Sequence, residues 1–224
     1  MMLLSSFRKY FFLTAGLACL IFSGCNPEAR LAEAADNGEV MAQYELAIYY
    51  SELKPPQKTK SFEWMKRAAV SRYQPAIKKL AEYYLTGYGT PVNYPRVAQW
   101  LSRYFEKDRN SAQALDAGKK ILLHSTKVKE LAAGLILCKI ALTIENQERG
   151  ASSPIARSAA NAIRSCINLF FYRLLEERNY ADAEKLLEFV QKIHGEYPGS
   201  FNGEMSGDLL KMQEIFITKI NENQ

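Results

Sequence analysis

The chain repeats itself at an interval of 34 residues, and that period limits its fold more than any other feature. Ala34-Ala35-x-x-Gly38-x-x-x-Ala42 leads into Leu46-Ala47 and Tyr49-Tyr50, while Ala68-Ala69-x-x-Arg72-x-x-x-Ala76 leads into Leu80-Ala81 and Tyr83-Tyr84. A second element returns after 36 residues, with Phe62-Glu63-Trp64-Met65-Lys66-Arg67 matched by Ala98-Gln99-Trp100-Leu101-Ser102-Arg103. A weaker third copy begins at Ala112 and has Ala117 in the place of Ala81. Periods of this length belong to stacked supersecondary units, none of which buries its apolar face alone. Ala42, Leu46 and Tyr50, like Ala76, Leu80 and Tyr84, fall at i, i+4 and i+8. That spacing predicts one apolar stripe per helix, with small residues that let a neighbouring helix approach.

Punctuation between these segments supports helical hairpins. Thr86-Gly87-Tyr88-Gly89-Thr90-Pro91 reads as a loop, since Gly87 can take a positive φ past a helix end and Pro91 cannot continue a helix. Asn93 is a candidate N-cap, with Pro95 in the following first turn. Farther on, Val128 to Thr143 is almost wholly apolar, with Leu131, Leu135, Cys138 and Leu142 on one side, and predicts a well-buried helix. Ile155 to Arg178 reads as a long amphipathic helix and Asn179 to Leu187 as the start of another. His194 to Ser200 is a break, and Gly207 to Ile220 a last helix. No useful run alternates with period two, so the expected class is all-α, with helix pairs stacking to the end of the chain.

Several of these residues resemble the Sel1-like repeat, a tetratricopeptide relative. Gly87-x-Gly89, Asn93-Tyr94, Arg96, Ala98, Trp100 and Ala112 resemble one full repeat, and Phe62-x-Trp64-x-Lys66-Arg67-Ala68-Ala69 the second helix of the one before. The likeness covers residues 30 to 117, with Arg72 at a usual glycine and Asp116 at a usual leucine. It implies a short α/α solenoid of Sel1/TPR-like hairpins over residues 30–125, continued or capped by the helices of residues 126–224.

The N-terminus points to export. Arg8 and Lys9 precede an apolar run from Tyr10 to Phe22, and Ser23-Gly24 stand before Cys25, the three parts of a signal peptide over residues 1–24. The uncharged stretch is about 15 residues, short of the ~20 needed to cross a bilayer. Phe22-Ser23-Gly24-Cys25 resembles the lipobox of bacterial lipoproteins. The resemblance implies cleavage before Cys25, its lipidation with acyl chains such as palmitate, and a linker over residues 25–29. Asn26 after the cysteine is similar to lipoproteins released to the outer membrane, which implies a protein anchored there and facing the periplasm. A secretory signal with a chance cysteine is the alternative. With Cys19 in the leader and Cys25 acylated, Cys138 and Cys166 remain for an oxidising compartment. They lie at similar heights on a helical hairpin, about 28 residues apart, where a disulfide would add roughly 3.5 kcal/mol. Two buried free thiols fit the same residues.

Motifs for chemistry are missing. The chain has two histidines and no Gly-x-Ser-x-Gly, His-Glu-x-x-His, Cys-x-x-Cys or phosphate loop. His124 and His194 stand near helix ends, where imidazoles satisfy terminal carbonyls. Glu176-Glu177 and Asp182-Glu184 read as solvated faces. No catalytic residue, metal ligand or cofactor is expected.

Charge is uneven. Loss of Arg8 and Lys9 with the leader leaves 27 bases against 24 acids. Residues 51–80 hold eight bases against two acids, and residues 176–224 ten acids against five bases. Such ends suit oppositely charged partners or headgroups, while nucleic acid is not expected in the periplasm. On the paired tyrosines, Tyr50 and Tyr84 are assigned to the core. Tyr49 and Tyr83, with Glu45, Lys79 and Glu82, are candidates for a partner-binding surface. These features describe a non-enzymatic lipoprotein that binds another protein. Lipoproteins that this one resembles include immunity proteins sequestering toxins that act in the periplasm, phospholipase effectors among them. Others are scaffolds of envelope secretion or polysaccharide-export complexes, and an enzyme with a helical pocket is the third class.

Overall fold

A computed structural model describes residues 27–125, 127–201 and 203–222. The leader, Cys25 and Asn26 lie outside the described residues. Every element among them is helical: α1 (Pro27–Asp36), α2 (Val40–Glu52), α3 (Lys58–Val70), α4 (Gln74–Thr86), α5 (Tyr94–Phe105), α6 (Ser111–His124), α7 (Val128–Glu148), α8 (Pro154–Glu176), α9 (Tyr180–Glu196), a 3-10 turn (Pro198–Ser200) and α10 (Glu204–Asn221). The chain is all-α, with successive helices packed in adjacent pairs. It divides into two compact units. The first holds the described residues up to Tyr83 together with Tyr88–Thr90, and the second holds Tyr84–Gly87 and everything from Pro91.

In the first unit the 34-residue period is visible in the backbone. Gly38 has φ 91° and ends α1, its N–H bonding to Ala35 O at 3.1 Å while Glu39 N–H reaches Ala34 O at 3.1 Å. Arg72, 34 residues on, has φ 63° and ends α3 with the same two bonds, to Ala69 O and Ala68 O. Both are Schellman endings, which satisfy the last carbonyls by one residue in the left-handed region. Glycine adopts that conformation freely and arginine does so at a cost of about 1 kcal/mol.

Packing follows the small residues. Ala47, Ala68 and Ala76 are buried completely, so α2, α3 and α4 approach closely around Leu46, Met65 and Leu80. Ser61, at the start of α3, donates to Ala47 O at 2.7 Å and lies 2.9 Å from Tyr83 Oη. One hydroxyl thereby ties α3 to both α2 and α4. Tyr50 donates to Glu28 at 2.8 Å, which fastens α1 over α2; burial, then that carboxylate, push its phenol up to about 12. Gly89 has φ 69°, and a Cβ there would stand 2.3 Å from the Lys58 carbonyl oxygen, so the loop can cross the start of α3 only as glycine.

The second unit is organised by α7, which packs against α5, α6 and α8. Leu131, Leu135, Leu137, Ala141, Leu142 and Ile144 are all buried along it, as the near-continuous apolar sequence requires. Side-chain caps start the helices: Asn93 accepts from Arg96 N–H at 3.1 Å, Asn110 from Gln113 N–H at 3.0 Å, Ser153 from Ala156 N–H at 2.9 Å and Asn179 from Asp182 N–H at 3.3 Å. Arg178, φ 55°, ends α8 by the same left-handed turn as Arg72. The tryptophan copies also match across 36 residues, for Arg67 stacks on Trp64 at 4.3 Å and Arg103 on Trp100 at 4.8 Å.

Two features lock α7 in place. It meets α6 at Gly118 and Gly134, where an added Cβ would come within 2.7 Å of Cys138 Sγ and 2.6 Å of Leu122 Cδ2 respectively. Near its C-terminus Glu145 is 0% exposed. Its carboxylate accepts from Ser111 at the start of α6, from the Ser153 cap of α8 at 2.6 Å and from Arg149 at 2.5 Å. Burial pushes this carboxyl up, but the hydrogen bonds of Ser111 and Ser153 and the charge of Arg149 outweigh burial and hold it below the usual range.

Candidate functional site

The surface read from the paired tyrosines divides between core and exterior. Tyr83 is a correction: only 4% exposed, it belongs to the core and is engaged by Ser61. On α4 the buried stripe runs Ala76, Leu80, Tyr83, and the i+7 position lies closer to the axis of that stripe than i+8. Tyr84, assigned to the core from the sequence, is half-buried instead. On α2 the stripe extends to Tyr50, because α1 packs on that side and supplies Glu28. Tyr49 is half-buried with its ring edge-on to Tyr50 at 5.7 Å, and Glu45 is exposed. Lys79 pairs with Glu82 one turn away at 3.0 Å, and that hydrogen bond raises its pKa. These residues do not enclose a site.

Cys138 and Cys166 stand as buried free thiols on the facing helices α7 and α8. The Cys138 sulfur fills the notch that Gly118 leaves on α6. Burial pushes the Cys138 thiol up to about 12 and Cys166 to about 11, so neither is a thiolate at neutral pH.

One arrangement pairs a serine with a histidine. Ser206 Oγ lies 2.9 Å from His194 Nε2, tying the start of α10 to the end of α9. His194 Nδ1 is buried without a partner. Among the described residues no third group orients the imidazole through Nδ1, as the base of a nucleophile–base pair requires. His124 Nδ1 sits 2.8 Å from Lys120 O in the last turn of α6. Among the described residues no three His, Cys, Asp or Glu side chains gather as a metal site, and no helix is long and apolar enough to cross a membrane.

Of three concavities in the second unit, one of about 530 Å³ lies between α8 and α10, lined in part by Tyr172, Glu176, Arg178 and Lys219, and two involve α7. A cavity of about 620 Å³ lies where α6 and α8 begin, lined in part by Arg109, Glu145, Arg149 and Ser153. Its charges satisfy one another: Glu145 takes Arg149, and Arg109 donates to Glu148 at 2.8 Å and Gln147 at 2.7 Å. This is a polar joint of the fold.

The other is a trough of about 370 Å³ over α8, walled by α7 and α9. Both walls pack on α8. Phe170 and Leu174 of α8 form the floor with Leu135 and Leu186, and Ile136 and Phe189 rise along the walls. Ile136 is 44% exposed, unusual for an isoleucine in the middle of a 21-residue helix. Lys139 and Glu196 pair at 3.1 Å and Thr143 meets Tyr197 Oη at 2.9 Å, joining α7 to the end of α9. At the helix starts Lys129, Asp182 and Lys185 line the mouth. Asp182 accepts from Asn179 at 2.9 Å and pairs with Lys185 at 3.2 Å, contacts that lower its pKa. Lys129 forms no ion pair among the described residues, nor does the exposed Lys192 one turn beyond Phe189. The trough thus has an apolar floor, with Lys129, Asp182 and Lys185 at its mouth and Lys192 beyond Phe189. The sequence reading had placed Leu135 in the core and Asp182 on a solvated face. Its missed signal was Ile136 and Phe189, apolar residues outside the buried stripes of their own helices.

No family model and no curated protein matches this chain.

Proposed function

We propose that this chain is a lipid-anchored protein of the bacterial envelope that faces the periplasm and binds another protein. Its most specific role is that of an immunity protein sequestering a secreted toxin, such as a phospholipase effector. The observation that carries the binding role is the trough over α8, where the exposed Ile136 and the half-buried Phe189 stand beside Lys129 and Lys185. The anchored location rests on the Arg8-Lys9, apolar-run and Phe22-Ser23-Gly24-Cys25 sequence. A rigid helical scaffold presenting one apolar groove suits capture of a partner without turning it over.

The test uses the full chain expressed in its own cells with labelled palmitate, followed by membrane fractionation and affinity capture. The expected result is label on the wild type, none on Cys25→Ser, and one stoichiometric protein retained by the wild type and lost from Ile136→Asp. Label retained by Cys25→Ser overturns the anchor. Absence of a stoichiometric protein, or its undiminished retention by Ile136→Asp, overturns the binding role. Retention of several envelope proteins of one machine replaces the immunity role with a scaffold.

A further inference from the structure

Resting on the reading that the trough binds a protein, we propose that its occupant is an amphipathic α-helix with acidic residues beside its apolar face. Three observations carry this. The first is length: the walls run from Lys129 to Ile136 on α7 and from Asp182 to Phe189 on α9, about two turns or ~10 Å at 1.5 Å per residue. Anchors at i, i+3 or i+4, and i+7 on an incoming helix span the same distance. The second is depth. Phe170 and Leu174 close the floor, so side chains enter while the incoming backbone stays at the rim, where its hydrogen bonds must be internal. A helix meets that condition.

The third is charge on both walls. Lys129 lies on the α7 side, and Lys185 and Lys192 follow the α9 edge at i and i+7 around Phe189. Facing acids are already committed, Asp182 to Asn179 and Lys185, and Glu196 to Lys139. Lys129 acts on Asp182 by charge without a close ion pair, and Lys192 forms none among the described residues. Lys129 on one wall and Lys185 with Lys192 on the other complement acids on both flanks of a helix, whereas one acyl chain brings a single headgroup to one end.

The test takes the full chain and three labelled 18-residue peptides with one leucine face, flanked by Glu, Lys or Gln, and reads binding by fluorescence anisotropy. The expected result is that the Glu-flanked helix binds about ten-fold more tightly than the Lys-flanked one, a preference that collapses in 1 M salt. It reverses in Lys129→Glu/Lys192→Glu, both surface sites whose substitution leaves the thermal midpoint unchanged. Equal binding of the three peptides, or none, overturns the proposal, as does a preference untouched by the double variant. Should the chain still retain its cellular partner through Ile136 while ignoring the acidic helix, the helix inference fails and the protein-binding reading stands. Should vesicles of anionic lipid, and no peptide, occupy the trough, both fail.

Discussion

Helices α2 to α4 of the first unit and α7 to α9 of the second are both triplets in which the middle helix touches a neighbour on each side, yet one is closed and the other open. Across α3, Ser61 bonds to a carbonyl of α2 and to Tyr83 of α4, and Ala47, Ala68 and Ala76 let the backbones come close. Across α8, Phe170, Leu174, Leu186 and Phe189 meet instead, and the walls stay far enough apart to leave about 370 Å³. Around Ser61 the seam is lined by alanines, whereas at the trough phenylalanine and leucine stand between the walls.

The largest expected effect concerns the joint that holds α7 against the starts of α6 and α8. Glu145→Ala leaves Ser111, Ser153 and Arg149 without their shared acceptor, and should cost about 3–5 kcal/mol in urea unfolding. Because the folded carboxyl titrates below its unfolded value of ~4.3, its contribution is present at neutral pH and is lost as pH falls through the folded value. The wild type should therefore lose stability below that range more steeply than Glu145→Gln; parallel pH profiles would remove Glu145 from the account. Next, Ala47→Leu forces bulk into the closed seam and should cost roughly 1–3 kcal/mol, whereas Ala132→Leu at the open wall should cost under about 0.5 kcal/mol, as surface changes do. Equal losses would mean that the two triplets are packed alike. Ser61→Ala removes a buried tie and should cost about 1–2 kcal/mol, read as a shift of the urea midpoint. The smallest effect runs the other way: Arg72→Gly relieves a left-handed arginine and should stabilise by about 0.5–1 kcal/mol, while Gly38→Ala should destabilise by a similar amount.

The closed triplet was the more legible of the two in the sequence. Its repeat shows as paired alanines and its loop as Gly87 and Gly89, because small residues and glycines are required wherever backbones approach or turn tightly. Caps were equally readable, Asn93 and Asn179 among them, since a cap is local chemistry. The phase of burial was not. Whether Tyr83 or Tyr84 faces inward turns on 100° of helical rotation, and the neighbour that decides it is distant in sequence, Ser61. The trough was hidden for a related reason. Ile136 and Phe189 lie beside the buried stripes of their own helices, and the spacing of α7 and α9 over α8 leaves them in the groove. Glu145 was equally silent, for its three partners come from two helix starts and its own next turn.

The central claim is that the open triplet, and not the tyrosine face of the closed one, receives the partner. Its most direct test places a photo-crosslinking amino acid at Ile136 in one full-length chain and at Tyr49 in another, irradiates living cells and compares the adducts. The account predicts one adduct of defined mass from Ile136, abolished by Lys129→Glu/Lys192→Glu, and none from Tyr49. An adduct from Tyr49 alone would move the binding surface to the first unit and contradict the account.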